Sequence, residues 1–222
     1  MELTVKDVVK LLIIPQPELN KLVQKKEIPF QKIRDVLYFN KQQVVDWALG
    51  RNMPINISNH TKMSDYHIES LKPLLSADSF YYSCDLTEAD YIEKMTKLIK
   101  LEKTVDTDII AQLLKSREEL MSTAIGNGIS IPHPRVPLML GSDKPLINFF
   151  FPVKPLQLKS LDGKPVHTII LLISQTIKQH LSLLAHISFL LSKKEFQQAL
   201  EKRLPYGQIT DLIGTIENGR NV

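Results

Sequence analysis

The chain has 222 residues, of which 43% are hydrophobic and 23% are charged, a balance that excludes a largely disordered protein. Its formal net charge of +4 does not by itself indicate a nucleic-acid partner. Cys84 is the single cysteine, which excludes a disulfide framework and a cysteine-rich metal site, so we expect it to be a packing residue. No apolar run approaches the roughly 20 residues that cross a bilayer, and no signal-peptide pattern opens the sequence. We therefore expect a cytoplasmic protein with no membrane partner.

The first 50 residues have the pattern of a small helical domain with a hairpin. Thr4 and Asp7 are spaced as in a capping box at the start of a first helix, which Pro15 ends. A second helix is predicted at residues 18–26, and the short connection between the two helices indicates a helix-turn-helix. Two strands and a third helix complete the predicted domain, at residues 30–33, 36–39 and 42–49.

The rest of the chain is predicted to be a polar linker followed by a larger α/β domain. Residues 51–66 are rich in polar side chains and show no sustained period, which is typical of a linker. Residues 67–222 combine helical and strand patterns, which indicates a layered α/β domain. Its predicted helices are residues 91–99, 107–121, 177–191 and 194–204, and its predicted strands are residues 146–153 and 167–174.

One segment of the larger domain is chemically unusual: Gly126-Asn127-Gly128-Ile129-Ser130-Ile131-Pro132-His133-Pro134. Two glycines let the backbone approach a ligand closely, and the flanking prolines restrict how the imidazole of His133 is presented. A neutral imidazole is nucleophilic near pH 7, so a rigid histidine suits phosphoryl transfer. The residue types alone leave a purely structural loop equally open.

This segment resembles the active-site motif of phosphotransferase-system IIA domains of the fructose, mannitol and nitrogen-regulatory type. The similarity runs over about residues 67–218 and implies a mixed sheet flanked by helices. In that family the histidine of the Ile-Pro-His sequence is phosphorylated, which implies His133 here. Ser130 and Pro134 depart from the family, which usually has alanine and often has glycine at these places.

The same resemblance implies supporting roles for two further residues. An arginine at the place of Arg117 lies near the phosphoryl group in the family, and a guanidinium matches phosphate oxygens well. The family also has a second histidine at the place of His180, which implies that His180 orients His133 or contacts phosphate. We also expect the amides of the glycine loop to stabilise the transferred charge. No role is assigned to the other four histidines, His60, His67, His167 and His186.

The N-terminal 50 residues resemble an excisionase-type winged helix-turn-helix domain, on residues 3–12, 22–29, 38–39 and 45–47. This resemblance implies that the second helix enters the major groove of duplex DNA while the wing contacts the backbone. The candidate groove residues are Asn20, Lys21, Gln24 and Lys25, and the candidate phosphate contacts are Lys32 and Arg34. A protein-interaction or dimerisation module remains the alternative.

The leading hypothesis is a regulatory phosphotransferase-system protein, in which the IIA domain is a phosphoryl-transfer component rather than a stand-alone enzyme. The implied partners are a phosphocarrier protein that phosphorylates His133, a IIB or regulatory protein as acceptor, and duplex DNA, with no cofactor. One alternative is a binding module that contacts protein partners without transferring phosphate. A metal site at His133 and His180 is the other alternative, and it lacks a third ligand.

Overall fold

The elements predicted for the first 50 residues are all present in the computed structural model, which describes residues 2–33, 36–51, 53–56, 68–102, 105–140 and 144–219. The N-terminal part, residues 2–56, contains β1 (Glu2–Leu3), α1 (Val5–Leu12), α2 (Gln16–Gln24), β2 (Gln31–Ile33), β3 (Val36–Asn40), α3 (Lys41–Gly50) and β4 (Ile55–Asn56). The strands β1, β3 and β2 form an antiparallel sheet in that order.

Local interactions at Thr4 and Ile13 set the bounds of α1. The backbone amide of Asp7 donates to the Thr4 hydroxyl, and the Asp7 carboxylate accepts from the Thr4 amide at 2.9 Å, so the predicted capping box is present. Ile13 takes a left-handed conformation with φ of 55°, which ends α1 two residues before Pro15. The indole of Trp47 donates to the carbonyl of Glu27, which ties α3 to the end of α2.

The C-terminal part, residues 68–219, contains the larger set of elements. These are β5 (Phe80–Cys84), α4 (Tyr91–Leu98), α5 (Thr107–Leu120), β6 (Ala124–Gly126), β7 (Ile129–Ser130), β8 (Leu138–Met139), β9 (Leu146–Pro152), β10 (Thr168–Ile173), α6 (Ile177–Leu191), α7 (Lys194–Glu201) and α8 (Tyr206–Asn218). Among the helices that the structure describes, none has the length and hydropathy to cross a bilayer.

Five of these strands form a mixed sheet in the order β5-β9-β10-β7-β6. The strand β10 pairs in parallel with β7 and in antiparallel with β9, while β5 pairs in parallel with β9. Along β10, Ile169 and Leu171 pack in the core that contains α4 and α5, whereas Ile170 and Leu172 pack in the core that contains α6, α7 and α8. The prediction of a mixed sheet flanked by helices is confirmed, and burial of both faces explains the unbroken apolar run of β10.

The segment predicted as a linker begins with structured residues. The strand β4 pairs in parallel with β8, with Ile55 opposite Leu138, and the remaining residues of the segment from 57 to 66 lie outside the described part. Two polar contacts join α3 to α5. Lys41 forms an ion pair with Asp106 at 2.5 Å, and the Gln112 side chain donates to the Asp46 carboxylate at 2.6 Å. The N-terminal part therefore packs against both α5 and β8.

Candidate functional site

His133 lies just beyond the carboxyl end of β7, which stands between β10 and the edge strand β6 in the mixed sheet. The residue before it is fixed to the neighbouring strand, because the amide of Leu172 in β10 donates to the carbonyl of Pro132 at 3.0 Å. Pro132 and Pro134 are both buried, while the imidazole between them is half-buried. The two prolines anchor the backbone on either side and leave the ring partly accessible.

The parallel pairing of β7 and β10 brings His180 to the same place. The carboxyl ends of parallel strands meet at one edge of a sheet, so the residues that follow β7 and β10 are neighbours. The strand β10 leads directly into α6, whose N-cap is Thr176, and His180 lies in the first turns of that helix. The ring centroids of His133 and His180 are 5.0 Å apart, with the rings inclined at 48°.

A single hydrogen bond sets the tautomer of His133. Its Nδ1 atom lies 2.7 Å from the carbonyl oxygen of Ile131. A carbonyl oxygen only accepts hydrogen bonds, so Nδ1 carries the proton and donates it. The other ring nitrogen, Nε2, then holds a free lone pair. The site therefore presents Nε2 of His133 as a nucleophile.

Both histidines of the pair are biased towards the neutral form. Burial lowers the pKa of His133, and the charge of Arg117 lowers it further, against the opposing effects of the Ile131 hydrogen bond and the charge of Glu118. Burial also lowers the pKa of His180, to about 4, with smaller contributions from His133 and Arg117. At neutral pH two uncharged imidazoles therefore face each other, and Nε2 of His133 is not blocked by a proton.

Arg117 supplies a positive charge next to this pair. It lies in the last turn of α5, and its Nη1 atom donates to the carbonyl of Met121 at 2.7 Å. The charge of Arg117 lowers the pKa values of both His133 and His180, so its guanidinium lies within electrostatic range of the pair. The site thus combines a neutral nucleophile, a second neutral imidazole and a guanidinium, which is a suitable set for a phosphoryl group.

The sequence of the C-terminal part matches a known family. Residues 83–215, more than half of the chain, match the family model of the phosphoenolpyruvate-dependent sugar phosphotransferase system, EIIA 2. The chain belongs to this family. Residues 1–82 lie outside the matched range, so the N-terminal part is not covered by the family.

Individual relatives agree with the assignment of a IIA domain. A nitrogen regulatory protein of Pseudomonas aeruginosa is 28% identical over 132 residues, which cover 58% of this chain and 84% of that protein. A fructose-specific EIIABC component of Bacillus subtilis is 30% identical over 123 residues, which cover 54% of this chain but only 19% of that protein. The crystal structure of the nitrogen regulatory protein IIA-Ntr from Neisseria meningitidis has a TM-score of 0.56 at 21% identity, covering 64% of this chain and 98% of that one. This likeness shows the same fold.

The glycine loop of the IIA domain does not line the site. Gly126, Asn127 and Gly128 have φ values of 97°, 52° and 70°, and Asn127 and Gly128 form the tight turn between β6, which ends at Gly126, and β7. The amide of Asn127 donates to the Asp162 carboxylate at 2.8 Å, and this bond is the largest cause of the lowered pKa of Asp162. Its amide is therefore engaged, and the prediction that loop amides stabilise a transferred charge is wrong for Asn127.

The carbonyls of Gly128 and Pro132 show how far the turn is from His133. They accept from the amides of Thr168 and Leu172 respectively, which are separated by four residues of β10 and hence by roughly 13 Å. His167 packs against the turn, because a Cβ atom added to Gly128 would lie 2.2 Å from its Cδ2 atom. His167 thus has a structural role, because its ring leaves no room for a side chain at position 128. The spacing of the sequence does not reveal this contact between His167 and Gly128.

Exposed apolar side chains border the site. Leu120 and Met121 follow Arg117 at the end of α5 and are 66% and 67% exposed. Ile177 and Leu181 flank His180 on α6 and are 68% and 61% exposed. Exposed apolar side chains next to a site are candidates for a surface that a protein partner covers.

The proposed DNA contacts lie on the surface of the N-terminal part. Asn20, Lys21 and Gln24 on α2, its C-cap Lys25, and Lys32 on β2 are all exposed, while Arg34 lies outside the described residues. Spacings of four residues put Asn20 with Gln24, and Lys21 with Lys25, on one side of the helix.

The described part of the chain contains no group of three His, Cys, Asp or Glu side chains placed to hold a metal ion. The pair of His133 and His180 therefore gains no third ligand of these types from it. A tetrahedral zinc site normally uses three or four protein ligands. The geometry does not favour the metal-site alternative.

The lowered pKa values predict that acid weakens the fold. The unfolded chain binds protons on its histidines near the ordinary pKa of 6.5, whereas His180 binds a proton only near pH 4 in the folded state. As the pH falls from 6.5 towards 4, the unfolded state therefore gains more protons than the folded state, and the free energy of unfolding decreases. We expect His180 to account for about 1–2 kcal/mol of this decrease after allowing for solvent screening.

Urea unfolding of the wild type and of His180→Gln at pH 7.0, 6.0, 5.0 and 4.5 measures this effect. The variant should show a shallower dependence of the free energy of unfolding on pH than the wild type. Parallel curves for the two proteins would show that His180 is not held neutral by the fold.

Proposed function

We propose that the IIA domain accepts a phosphoryl group on Nε2 of His133 and passes it to a second protein. The hydrogen bond from Nδ1 of His133 to the carbonyl of Ile131 is the observation that carries this proposal, because it leaves Nε2 as the free nucleophile. The family assignment supplies the chemical context, since the EIIA family belongs to a phosphoenolpyruvate-dependent phosphotransferase system. The most suitable donor is a phosphohistidine on a phosphocarrier protein.

The transfer is a displacement at phosphorus. The lone pair of Nε2 attacks the phosphorus atom while the bond to the donor nitrogen breaks, and the bonding electron pair leaves with the donor imidazole. His133 then carries a positive charge on its ring, which the Ile131 carbonyl stabilises by continuing to accept from Nδ1–H. Arg117 neutralises charge on the equatorial phosphoryl oxygens. His180, being neutral, offers an N–H to one of them.

The apolar border formed by Leu120, Met121, Ile177 and Leu181 suits the docking of a partner over the histidine pair. Direct transfer between two proteins requires such docking, because donor and acceptor nitrogens must approach within bonding reach of one phosphorus atom. One matched relative is named as a fructose-specific EIIABC component and another as a nitrogen regulatory protein. The acceptor in this case is accordingly a IIB domain or a regulatory protein.

We also propose that the N-terminal part is a winged helix-turn-helix domain that binds duplex DNA. The order of two helices, a β2–β3 hairpin and a third helix supports this class, and polar and basic side chains occupy the exposed side of α2. Lys21 and Lys25 would meet the major groove, and Lys32 on β2 would meet the phosphate backbone. A protein-interaction role for the same surface is the outcome if no DNA is bound.

The first expectation is that one acid-labile phosphoryl group forms on His133. Incubation with phosphoenolpyruvate, the general phosphotransferase enzyme and the phosphocarrier protein should add one phosphoryl mass to the wild type, measured by intact-mass spectrometry. The variant His133→Ala should take none, because it lacks the nucleophile. His186→Ala is the matched control, since His186 is on the same helix as His180 but bonds to the carbonyls of Ser182 and Glu69. Phosphate that persists in His133→Ala would refute the acceptor, and a wild type that stays unmodified would favour a non-transferring module.

The second expectation concerns Arg117. Arg117→Ala should slow phosphoryl uptake roughly 100-fold, because it removes a charge-assisted contact to the transferring group. Rapid-quench measurement of uptake gives the rate, and circular dichroism checks the fold. Lys115→Ala on the same helix is the control, because Lys115 pairs with Glu93 rather than with the histidines. Equal uptake rates for Arg117→Ala and the wild type would remove the assigned role.

The third expectation is a salt-dependent affinity for duplex DNA. The double variant Lys21→Ala/Lys25→Ala should weaken binding and make the slope of log affinity against log salt shallower, since two positive charges are lost from the surface that faces the DNA. Lys6→Ala/Lys10→Ala on α1 removes the same charge from another exposed surface and serves as the control. Fluorescence anisotropy with a mixed-sequence duplex at several salt concentrations measures the affinity and its salt dependence for each double variant. Equal slopes for the two double variants, or no binding by the folded wild type at low salt, would contradict the assignment.

A further inference from the structure

A chain of hydrogen bonds connects Glu118 to the backbone that holds His133. Glu118 follows Arg117 in the last turn of α5, and its carboxylate accepts from the Ser122 hydroxyl at 2.8 Å and from the Thr123 hydroxyl at 2.6 Å. It also accepts from the Thr123 amide, at 3.1 and 3.0 Å to its two oxygens. A hydroxyl-to-carboxylate distance of 2.6 Å is typical of a bond to an ionised carboxylate.

The direction of the chain follows from the donors available. The carboxylate can only accept, so the Thr123 hydroxyl gives its one proton to Glu118. The Ser130 hydroxyl lies 3.0 Å from the same Thr123 oxygen and must therefore be the donor in that bond. Thr123 and Ser130 are 3% and 0% exposed, so no solvent competes with these bonds. The three residues form one oriented chain from Ser130 through Thr123 to Glu118.

This chain ends at the peptide that sets the tautomer of His133. Ser130 precedes Ile131, whose amide donates to the Thr123 carbonyl at 2.9 Å and whose carbonyl accepts from Nδ1 of His133. Thr123 is thus held through its amide, its hydroxyl and its carbonyl, and it fixes both Ser130 and Ile131. The position of the Ile131 carbonyl consequently depends on the Glu118 carboxylate.

We propose that Glu118 is a positioning residue that acts through Thr123 and Ser130 to keep His133 in the Nδ1–H tautomer. The inference rests on the proposed function for its effect on rate, while its effect on the tautomer is independent of phosphoryl transfer. Because Glu118 and Arg117 are adjacent on one helix turn, α5 positions the nucleophile and supplies the phosphate-binding guanidinium together. The hydroxyl of Ser130 extends the hydrogen bonds into β7, the strand that leads to the site.

The test uses two variants that break the series of hydrogen bonds from Ser130 to Glu118, and two matched controls. In Glu118→Gln the amide group places a donor where Thr123 needs an acceptor, and Thr123→Val removes the linking hydroxyl with little change of shape. Glu119→Gln removes the neighbouring exposed carboxylate, and Thr123→Ser keeps the hydroxyl. Nitrogen-15 NMR of the histidine side chains in the full chain reports the tautomer of neutral His133, and rapid quench reports phosphoryl uptake.

The wild type and both controls should show the Nδ1–H tautomer of His133 and equal uptake rates. Glu118→Gln and Thr123→Val should populate the Nε2–H tautomer and slow uptake roughly 10- to 100-fold, as expected for a misplaced reacting group. The proposal would be overturned if Glu118→Gln and Thr123→Val fold and still show the wild-type tautomer of His133 and the wild-type rate of phosphoryl uptake. If Glu118→Gln fails to fold, the comparison of Thr123→Val with Thr123→Ser decides, again by the tautomer of His133 and the rate of uptake. A wild type that takes no phosphate would refute the proposed function, and the tautomer measurement would still decide the role of Glu118.

Discussion

The parallel pairing of β7 with β10 is the contact on which the site depends. Its register sets Ser130 opposite Ile169 and brings the residues after both strands to one edge of the sheet. His133 follows the short strand β7, and His180 follows the long strand β10 in the first turns of α6, so the two imidazoles meet at this edge. Both faces of β10 are buried, with Ile169 and Leu171 packed in one core and Ile170 and Leu172 in the other, so packing on both sides holds the strand in place. The geometry of the histidine pair thus depends on the packing of the core.

The helix α5 is the second support of the site and also its connection to the N-terminal part. Its last turn carries Arg117 and Glu118, while its N-cap Asp106 pairs with Lys41 of α3. The strand β4 also pairs with β8, and β8 is the strand that follows the loop of His133 and Pro134 in the sequence. A partner or a phosphoryl group that shifts α5 or this loop therefore acts on the elements that the N-terminal part contacts. A charge of roughly −1.5 to −2 near Arg117 is large enough to bias such contacts.

Local signals predicted much of the fold. The Thr4 and Asp7 capping box, Pro15 and the apolar run of β10 each act within a few residues, so their elements are present where the sequence indicated. The helix α8 was not predicted, because Gly207 and Gly214 interrupt its pattern. Asn127-Gly128 is a hairpin signal, but the strands beside it have only three and two residues, and the loop was interpreted as a ligand contact. The contacts of His167 with Gly128 and of Glu118 with Thr123 arise from packing that no spacing in the sequence encodes.

The central claim is that the fold leaves Nε2 of His133 as the nucleophile by engaging Nδ1 with Ile131. Phosphorus-31 NMR of the phosphorylated full chain tests it most directly, because the two ring positions of phosphohistidine have different chemical shifts and different couplings to ring nitrogens. Phosphorylation of protein labelled with nitrogen-15 in histidine should give one phosphorus signal, coupled to Nε2 of His133. A signal coupled to Nδ1 of His133, or to any other histidine, would contradict the account.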